Sequence, residues 1–348
     1  MKSNKLKVGL IFGGRSAEHE ISILSASSVY KNIDKKKFEV ISIYINKEGH
    51  WKRVNNPTIG FENLNKGKFY SFLPWSIPTG LENFEADVYF PLLHGPYGED
   101  GTIQGLLEMA NVPYVGAGVL ASSLGMDKAK MKFLFKSKGL PVVNFLVIYD
   151  WQWKKHRDFF LKKIKEEFEF PIFIKPSNLG SSIGITKVKE ESQLIPAIEE
   201  AFKYDRKILI EQGVIAREIE CSVLGNEEPQ ASLPGELIPY REFYDYRDKY
   251  IEGKTEFKIP APLEDFQIEE IRRLAIEAFK VIECTGMARV DFFIDKRTNK
   301  IYINEINTIP GFTEISMYPK MWEASGISYP RLIEILIELA LERYKNKK

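Results

Sequence analysis

The chain has 348 residues, 44% of them hydrophobic, with 49 Lys plus Arg against 48 Asp plus Glu and a net charge of +1. That length suggests two or three domains at roughly 150 residues each, and the balanced charge offers no broad field for nucleic acid or an anionic membrane. No uncharged run approaches the ~18 residues of a spanning helix, no secretory signal is expected, and Cys221 and Cys284 are too few for a disulfide framework or a metal knuckle.

Lys7 to Phe12 reads as a buried strand, followed by Gly13-Gly14, a helical pattern from Ser22 to Asn32 and a second strand from Val40 to Ile45. That is a βαβ opening, which favours a parallel sheet with its ligand edge at the first strand–helix turn. In that turn, Gly14-Arg15-Ser16-Ala17-Glu18-His19-Glu20 reads equally as a helix start capped by Ser16 or as a ligand loop. Ala86 to Leu93 is another buried strand, running into the glycine-rich His94-Gly95-Pro96-Tyr97-Gly98-Glu99-Asp100-Gly101. His94 is set apart by opening that loop. His19, His50 and His156 lack metal spacing and default to structural or surface roles. A first domain is expected to end near residue 116, and Asp127 is placed to cap a helix stopped by Gly139 and Pro141.

From Val142 the texture changes to alternating strands and turns. Ile172 to Lys175 is a short strand leading to Gly180-Ser181-Ser182-Ile183-Gly184. Small residues there let backbone N–H groups approach anionic oxygens and Lys175 adds a point charge, although a glycine–serine turn alone is often only a turn. No Walker loop supports it: Gly253-Lys254-Thr255 ends like one, but Asp248 stands where the leading glycine belongs. Lys207 to Ile210 and Glu218 to Leu224 are further strands. Residues 236–262 are rich in tyrosine and charge without periodicity, and a loop of that length is usually functional. Glu269 to Ile282 is an amphipathic helix with Ile271, Leu274, Ala275, Ala278 and Phe279 on one face, and Leu332 to Leu341 forms a closing helix.

The sharpest constellation lies late in the chain. Ala288 to Ile294 and Ile301 to Asn307 are strands joined by the polar turn Asp295-Lys296-Arg297-Thr298-Asn299-Lys300, which reads as an antiparallel hairpin. Pairing outward from the turn brings Asp291 within about one residue of Glu305. Arg289 and Asp291 share a face, as do Glu305 and Asn307. Two carboxylates and a carboxamide beside an arginine fit a hard cation such as Mg²⁺, completed by phosphate and water. A solvated face of charge pairs is the bland alternative, but both strands are otherwise strongly apolar.

Taken together, certain segments carry a family likeness. They are Phe12-Gly13-Gly14-Arg15-Ser16-Ala17-Glu18-His19-Glu20-Ile21-Ser22, His94-Gly95 with Gly98-Glu99-Asp100-Gly101, and Met126-Asp127-Lys128. Lys175-Pro176-Ser177 with Gly180-Ser181-Ser182, Phe243-Tyr244-Asp245-Tyr246 and Asn304-Glu305-Ile306-Asn307-Thr308-Ile309-Pro310-Gly311 continue the series. In order and spacing the chain resembles the D-alanine–D-alanine ligases of the ATP-grasp superfamily over nearly its whole length. The resemblance implies an α/β (α+β) chain in three parts. These are an N-terminal parallel α/β domain (1–116), a central domain (117–210) and a C-terminal domain (211–348) with a closing loop over residues 238–262. ATP would lie between the antiparallel sheets of the last two.

The resemblance also implies roles. Lys128, Lys175, Ser182 and Lys249 would contact ATP phosphates; Glu211, Gln212 and Val214 would form the adenine hinge, and Glu218 would meet the ribose. Asp291, Glu305 and Asn307 would ligate two Mg²⁺ or Mn²⁺ ions. Glu18 would orient the ammonium of the first D-alanine in a pocket shared with His94, while Arg289 and the Gly311 N–H would hold the acyl phosphate and the oxyanion. Ser316 and Met317 would receive the second D-alanine, and Ser181 and Tyr250 would join Glu18 in a triad that closes the loop. A cytoplasmic homodimer that makes D-alanyl-D-alanine for peptidoglycan is the family expectation.

Tyr250 is the identity that, within this family, marks formation of a dipeptide rather than D-alanyl-D-lactate. Two positions depart from the pattern: Pro96-Tyr97, where relatives often carry a more flexible basic loop, and Gln212, often lysine. A D-alanine–D-lactate ligase or another ATP-grasp carboxylate ligase is the alternative within the fold. A non-catalytic nucleotide-binding protein is the alternative outside enzymes; it would show eroded metal ligands or a lost Arg289, and neither is seen.

Overall fold

Leu6–Gly13 (β1) is mostly apolar on both faces, the pattern of a strand covered on two sides. It pairs in parallel with β2 (Phe38–Ile45) and β4 (Val88–Pro91), and β3 (Trp51–Val54) adds an antiparallel edge to β2. The computed structural model describes residues 5–58, 61–66, 85–180, 183–238 and 256–347. The crossover from β1 to β2 is α1 (His19–Asn32), which starts at His19 rather than at the expected Ser22. Ser16 does not cap it. Glu18 occupies the N-cap position, and the Ser16 hydroxyl accepts the Glu18 N–H at 3.2 Å while donating to the His94 carbonyl at 2.6 Å. The hydroxyl therefore closes the turn ahead of the helix and ties it to the end of the neighbouring strand.

The chain then runs through α2 (Thr102–Met109), α3 (Val119–Met126) and α4 (Lys128–Ser137). Asp127 caps α4 as expected, its Oδ1 accepting the Lys130 N–H at 3.1 Å. A second sheet, order β5-β8-β6-β7, is antiparallel throughout and contains β5 (Phe145–Tyr149), β6 (Ile172–Pro176), β7 (Thr186–Val188) and β8 (Lys207–Gln212). It shares a core with α5 (Asp150–Glu167) and α6 (Leu194–Ala201) through Trp153, Ile164, Leu194 and Ile198.

The third sheet, order β12-β11-β9-β13-β14, is also antiparallel, with β10 (Gln230–Ala231) on β9. Its strands are β9 (Ala216–Gly225), β11 (Gly235–Ile238), β12 (Glu256–Lys258), β13 (Gly286–Asp295) and β14 (Ile301–Asn307). Against it packs α7 (Asp265–Val281), which buries Ile271, Leu274, Ala275, Ala278 and Phe279, the stripe its spacing predicts. Cys221 and Cys284 are buried free thiols, pushed up to about 12 by burial and so chemically quiet.

After α8 (Met317–Ala324), α9 (Tyr329–Asn346) returns to the first sheet. Leu332, Ile333, Leu336 and Ile337 join Val8, Leu10 and Phe90 in one core, each side chain contributing roughly 1.5–3 kcal/mol relative to exposure. Near its end, Arg343 stacks 4.3 Å over the Tyr114 ring. The same guanidinium donates to the Tyr114 carbonyl at 2.8 Å, to Thr285 Oγ1 at 2.7 Å and to the Gly116 carbonyl. The expected parallel opening sheet followed by two antiparallel sheets is thus the architecture of the chain.

Candidate active site

β13 and β14 pair with Asp291 directly opposite Glu305 and Arg289 opposite Asn307. Beyond Asp291 the register slips, so that Phe292 faces Ile303 and Asn304 is the extra residue of a bulge. Bulges re-aim side chains, and Asn304 Oδ1 lies 3.5 Å from Lys175 Nζ of the second sheet. Arg289 Nε and Nη2 each donate to Asp291 at 2.7 Å, and Nε lies 3.2 Å from Glu220 Oε2 on β9. Burial alone would favour the neutral guanidine, but the Asp291 and Glu220 charges outweigh it and hold Arg289 cationic.

Three lysines converge on the same region. Lys128, at the start of α4, lies 3.1 Å from Glu305 Oε2 and donates to the Leu179 carbonyl at 2.9 Å. Lys175 sits 2.5 Å from Glu211 Oε2, and Lys132 sits 3.1 Å from Glu211 Oε1. Burial would raise the Glu211 carboxyl, yet the charges of Lys132 and Lys175 overcome it and lower the group to about 2. The start of α4 is itself anchored to the loop after β6 and to the start of β8: Ser177 Oγ donates to Asp127 Oδ1 at 2.8 Å, and Lys207 pairs with Asp127 Oδ2.

A cavity of about 460 Å³ opens here, lined among others by Glu18, His94, Lys128, Arg289, Gly311 and Ser316. Gly95 must be glycine: its φ is +72°, and a Cβ would fall 2.7 Å from Glu18 Oε2. Its N–H donates to Glu99 Oε2 at 2.7 Å. Burial, and then the Glu18 charge, push the Glu99 carboxyl well above the usual carboxylate range. At the other side, a Cβ on Gly311 would meet Ser316 Oγ at 2.8 Å, so the missing side chain is what admits that hydroxyl.

Asp291, Glu305 and Asn307 share one face of the hairpin. Among the described residues no group of three or more His, Cys, Asp or Glu could hold a metal ion. The set present, two carboxylates and one carboxamide, fits a hard divalent cation that takes its remaining oxygens from phosphate and water. In the structure these carboxylates face Arg289 and Lys128, cations that offset their charge.

Family models described as D-ala D-ala ligase N-terminus and C-terminus match residues 7–117 and 134–338. The chain belongs to the D-Ala–D-Ala ligase family. A D-alanine–D-alanine ligase of Caldicellulosiruptor bescii is 51% identical, over 99% of this chain and 97% of its own. Among solved structures, the D-alanine–D-alanine ligase of Coxiella burnetii is 36% identical with a TM-score of 0.83, covering 99% of this chain and 96% of that one. The VanG D-Ala:D-Ser ligase of Enterococcus faecalis is 34% identical with a TM-score of 0.84, covering 97% and 100%.

Of the residues singled out for this ligase family, Glu18, His94, Lys128, Arg289, Glu305, Asn307, Gly311, Ser316 and Met317 line the cavity. Asp291 stands behind Arg289, and Lys175 behind Asn304. The expected hinge residues Glu211 and Gln212 end β8, with Val214 just beyond it. Glu211 is buried on its two lysines, and the Gln212 side chain exchanges hydrogen bonds with the Glu169 backbone at 2.7 and 3.0 Å. Neither side chain faces the cavity, nor do Val214 and Glu218 line it. Ser181, Ser182, Lys249 and Tyr250 lie outside the described residues. No role for Lys132, Glu220 or Glu99 is assigned from sequence; a lysine within the buried face of α4 is the signal for Lys132, and Glu99 sits in the loop that begins at His94.

Proposed function

We propose that this chain is an ATP-dependent ligase that joins two D-alanine molecules into D-alanyl-D-alanine, with release of ADP and phosphate, for peptidoglycan synthesis. The observation that carries it is Asp291 level with Glu305, each against a cation, beside a cavity that also presents Gly311 and Ser316.

In this reading Lys128 and Lys175 bind the ATP phosphates and offset repulsion as the carboxylate of the first D-alanine takes the γ-phosphoryl group. Two divalent ions, Mg²⁺ or Mn²⁺, held by Asp291, Glu305 and Asn307, supply neutralisation of phosphate charge when bound. Glu18 holds the ammonium of that D-alanine, and Ser316 with Met317 holds the carboxylate of the second. The second D-alanine attacks the acyl carbonyl as its free amine, the oxyanion forms against Arg289 and the Gly311 N–H, and the acyl–phosphate bond breaks as the amide is made, the nitrogen's proton leaving with the phosphate. Glu211, Gln212 and Val214 form the adenine hinge and Glu218 meets the ribose, roles that rest on sequence resemblance. Roles for Ser181, Ser182, Lys249 and Tyr250 rest on sequence resemblance. The same reading takes the chain as three domains, 1–116, 117–210 and 211–348, in a cytoplasmic homodimer.

The test is phosphate release from ATP and Mg²⁺ with D-alanine, and with D-serine, D-lactate or L-alanine as acceptor beside it, products identified by mass. Release that needs D-alanine and yields chiefly D-alanyl-D-alanine supports the reading. A protein that binds ATP and releases no phosphate with any of these overturns it. Preference for D-serine or D-lactate moves it to the alternative acceptor.

A further inference from the structure

Helix α1 turns three serines, Ser22, Ser25 and Ser28, into the protein interior. Serine inside a helix competes for backbone groups unless other partners occupy it; here each hydroxyl is taken by a distant segment. Ser22 Oγ accepts the Gly13 N–H at 2.7 Å and donates to the Leu92 carbonyl at 2.5 Å. Ser28 Oγ lies 3.2 Å from the Tyr329 hydroxyl, which donates to the Phe312 carbonyl at 2.5 Å.

Ser25 lies between them and reaches further. Its Oγ is 3.0 Å from His94 Nε2 and accepts the Phe312 N–H at 3.3 Å. On the other side of the ring, His94 Nδ1 is 3.1 Å from the Ile309 carbonyl. A carbonyl only accepts, so Nδ1 carries the proton, Nε2 is the acceptor, and the Ser25 hydroxyl donates to it. Burial lowers the imidazole's pKa and so favours its neutral form, against the opposing pull of Glu18. Both ring nitrogens are thereby spent on the protein, which leaves His94 no hydrogen bond for a substrate.

The two contacts bracket Gly311: the ring grips the carbonyl of residue 309 and the serine grips the amide of residue 312. The start of the same turn is tied to the hairpin, because the Ile309 N–H donates to Asn307 Oδ1 at 3.0 Å. We propose that Ser25 and His94 are positioning residues that fix the 309–312 turn and so aim the Gly311 N–H at the oxyanion. This rests on the ligase reading above, and it moves His94 from substrate contact to support.

The full chain decides it with Ser25→Ala, His94→Asn and the double variant, assayed with ATP, Mg²⁺ and D-alanine. Each single variant should lower kcat by about 10–100-fold, less than the roughly 10²–10³-fold of losing an oxyanion donor outright because the donor is misaimed and not removed, and leave the KM for ATP within about twofold. The double variant should lose little more than the worse single, since both act through one turn. If His94→Asn raised the KM for D-alanine at unchanged kcat while Ser25→Ala did nothing, His94 would be a substrate ligand and the proposal would fail. A second readout needs no variant: ¹⁵N-histidine NMR of the wild type should show neutral His94 as the Nδ1–H tautomer, titrating below an ordinary histidine. An Nε2–H tautomer, or an ordinary titration, overturns the proposal. A wild type that releases no phosphate sinks both readings, whereas an active wild type with fully active variants sinks this one alone.

Discussion

The Lys132 ammonium lies 3.1 Å from Glu211 Oε1, and both side chains are withdrawn from solvent. The other carboxylate oxygen holds Lys175 at 2.5 Å. One buried anion is therefore shared by two buried cations, and a nucleotide phosphate is the natural further anion for Lys175. Replacing Lys132 with Met leaves Glu211 to Lys175 alone and draws that lysine away from phosphate. Stability should fall by about 1–3 kcal/mol and the KM for ATP should rise. Urea unfolding and ATP saturation curves check this; an unchanged KM would detach Lys132 from the nucleotide site.

Glu211 also gives a pH signature. Its carboxyl is held at about 2, below the ordinary 4.5, because the two lysine charges overcome the burial that would raise it. A depressed carboxylate contributes its full stabilisation above the unfolded value and loses it as pH falls from about 4.5 toward 2, on the order of 3 kcal/mol in all. The wild type should exceed Glu211→Gln in urea midpoint at about pH 6, and the gap should narrow by about pH 3. A gap independent of pH would contradict the ion-pair account.

Arg289 forks both nitrogens onto Asp291 and touches Glu220 as well. Lysine has the charge without the fork. Arg289→Lys should fold but lose about 10²-fold in kcat, in keeping with removal of an oxyanion donor. Circular dichroism with steady-state kinetics tests it, and a rate within twofold of wild type would remove Arg289 from the chemistry.

Glu305→Gln keeps the side chain's shape and halves the carboxylates on the hairpin face. Mn²⁺ binding in the presence of ATP, followed by electron paramagnetic resonance, should weaken at least about tenfold, since even partners of metal ligands are worth about 10–100-fold. Equal Mn²⁺ affinity would show that the cation sits elsewhere.

A methyl group on Gly311 would fall 2.8 Å from Ser316 Oγ. Gly311→Ala should displace that hydroxyl from its bonds to Thr313 at 2.7 and 2.9 Å and raise the KM for the acceptor D-alanine, with ATP binding kept. Acceptor saturation kinetics are the measurement; a rise confined to ATP would reassign the 313–317 turn.

What the sequence displayed was local. The 271–279 stripe, the Asp127 cap and the Asp291–Glu305 pairing follow from periods of 3.6 and 2 and from short-range turn chemistry. What it hid was set by distance along the chain. Ser25 reads as an ordinary helix residue because its partners, His94 and Phe312, come from other segments. Lys132 and Glu211 are likewise joined only by the packing of α4 against β8. Ser16 had the right chemistry for a cap, but the turn around it put a carbonyl and the wrong amide within reach. The bulge at Asn304 shifts which residue faces which, a change that counting outward from a turn does not reveal.

Because α9 fills the core over β1 and β4, the first sheet emerges from the ribosome long before Leu332–Ala340 exist to cover it. During synthesis its apolar surface must wait for the far end of the same polypeptide, a delay in which a chaperone can shelter it. Arg343 then ties α9 to Tyr114 and Thr285, on either side of the second sheet in chain order.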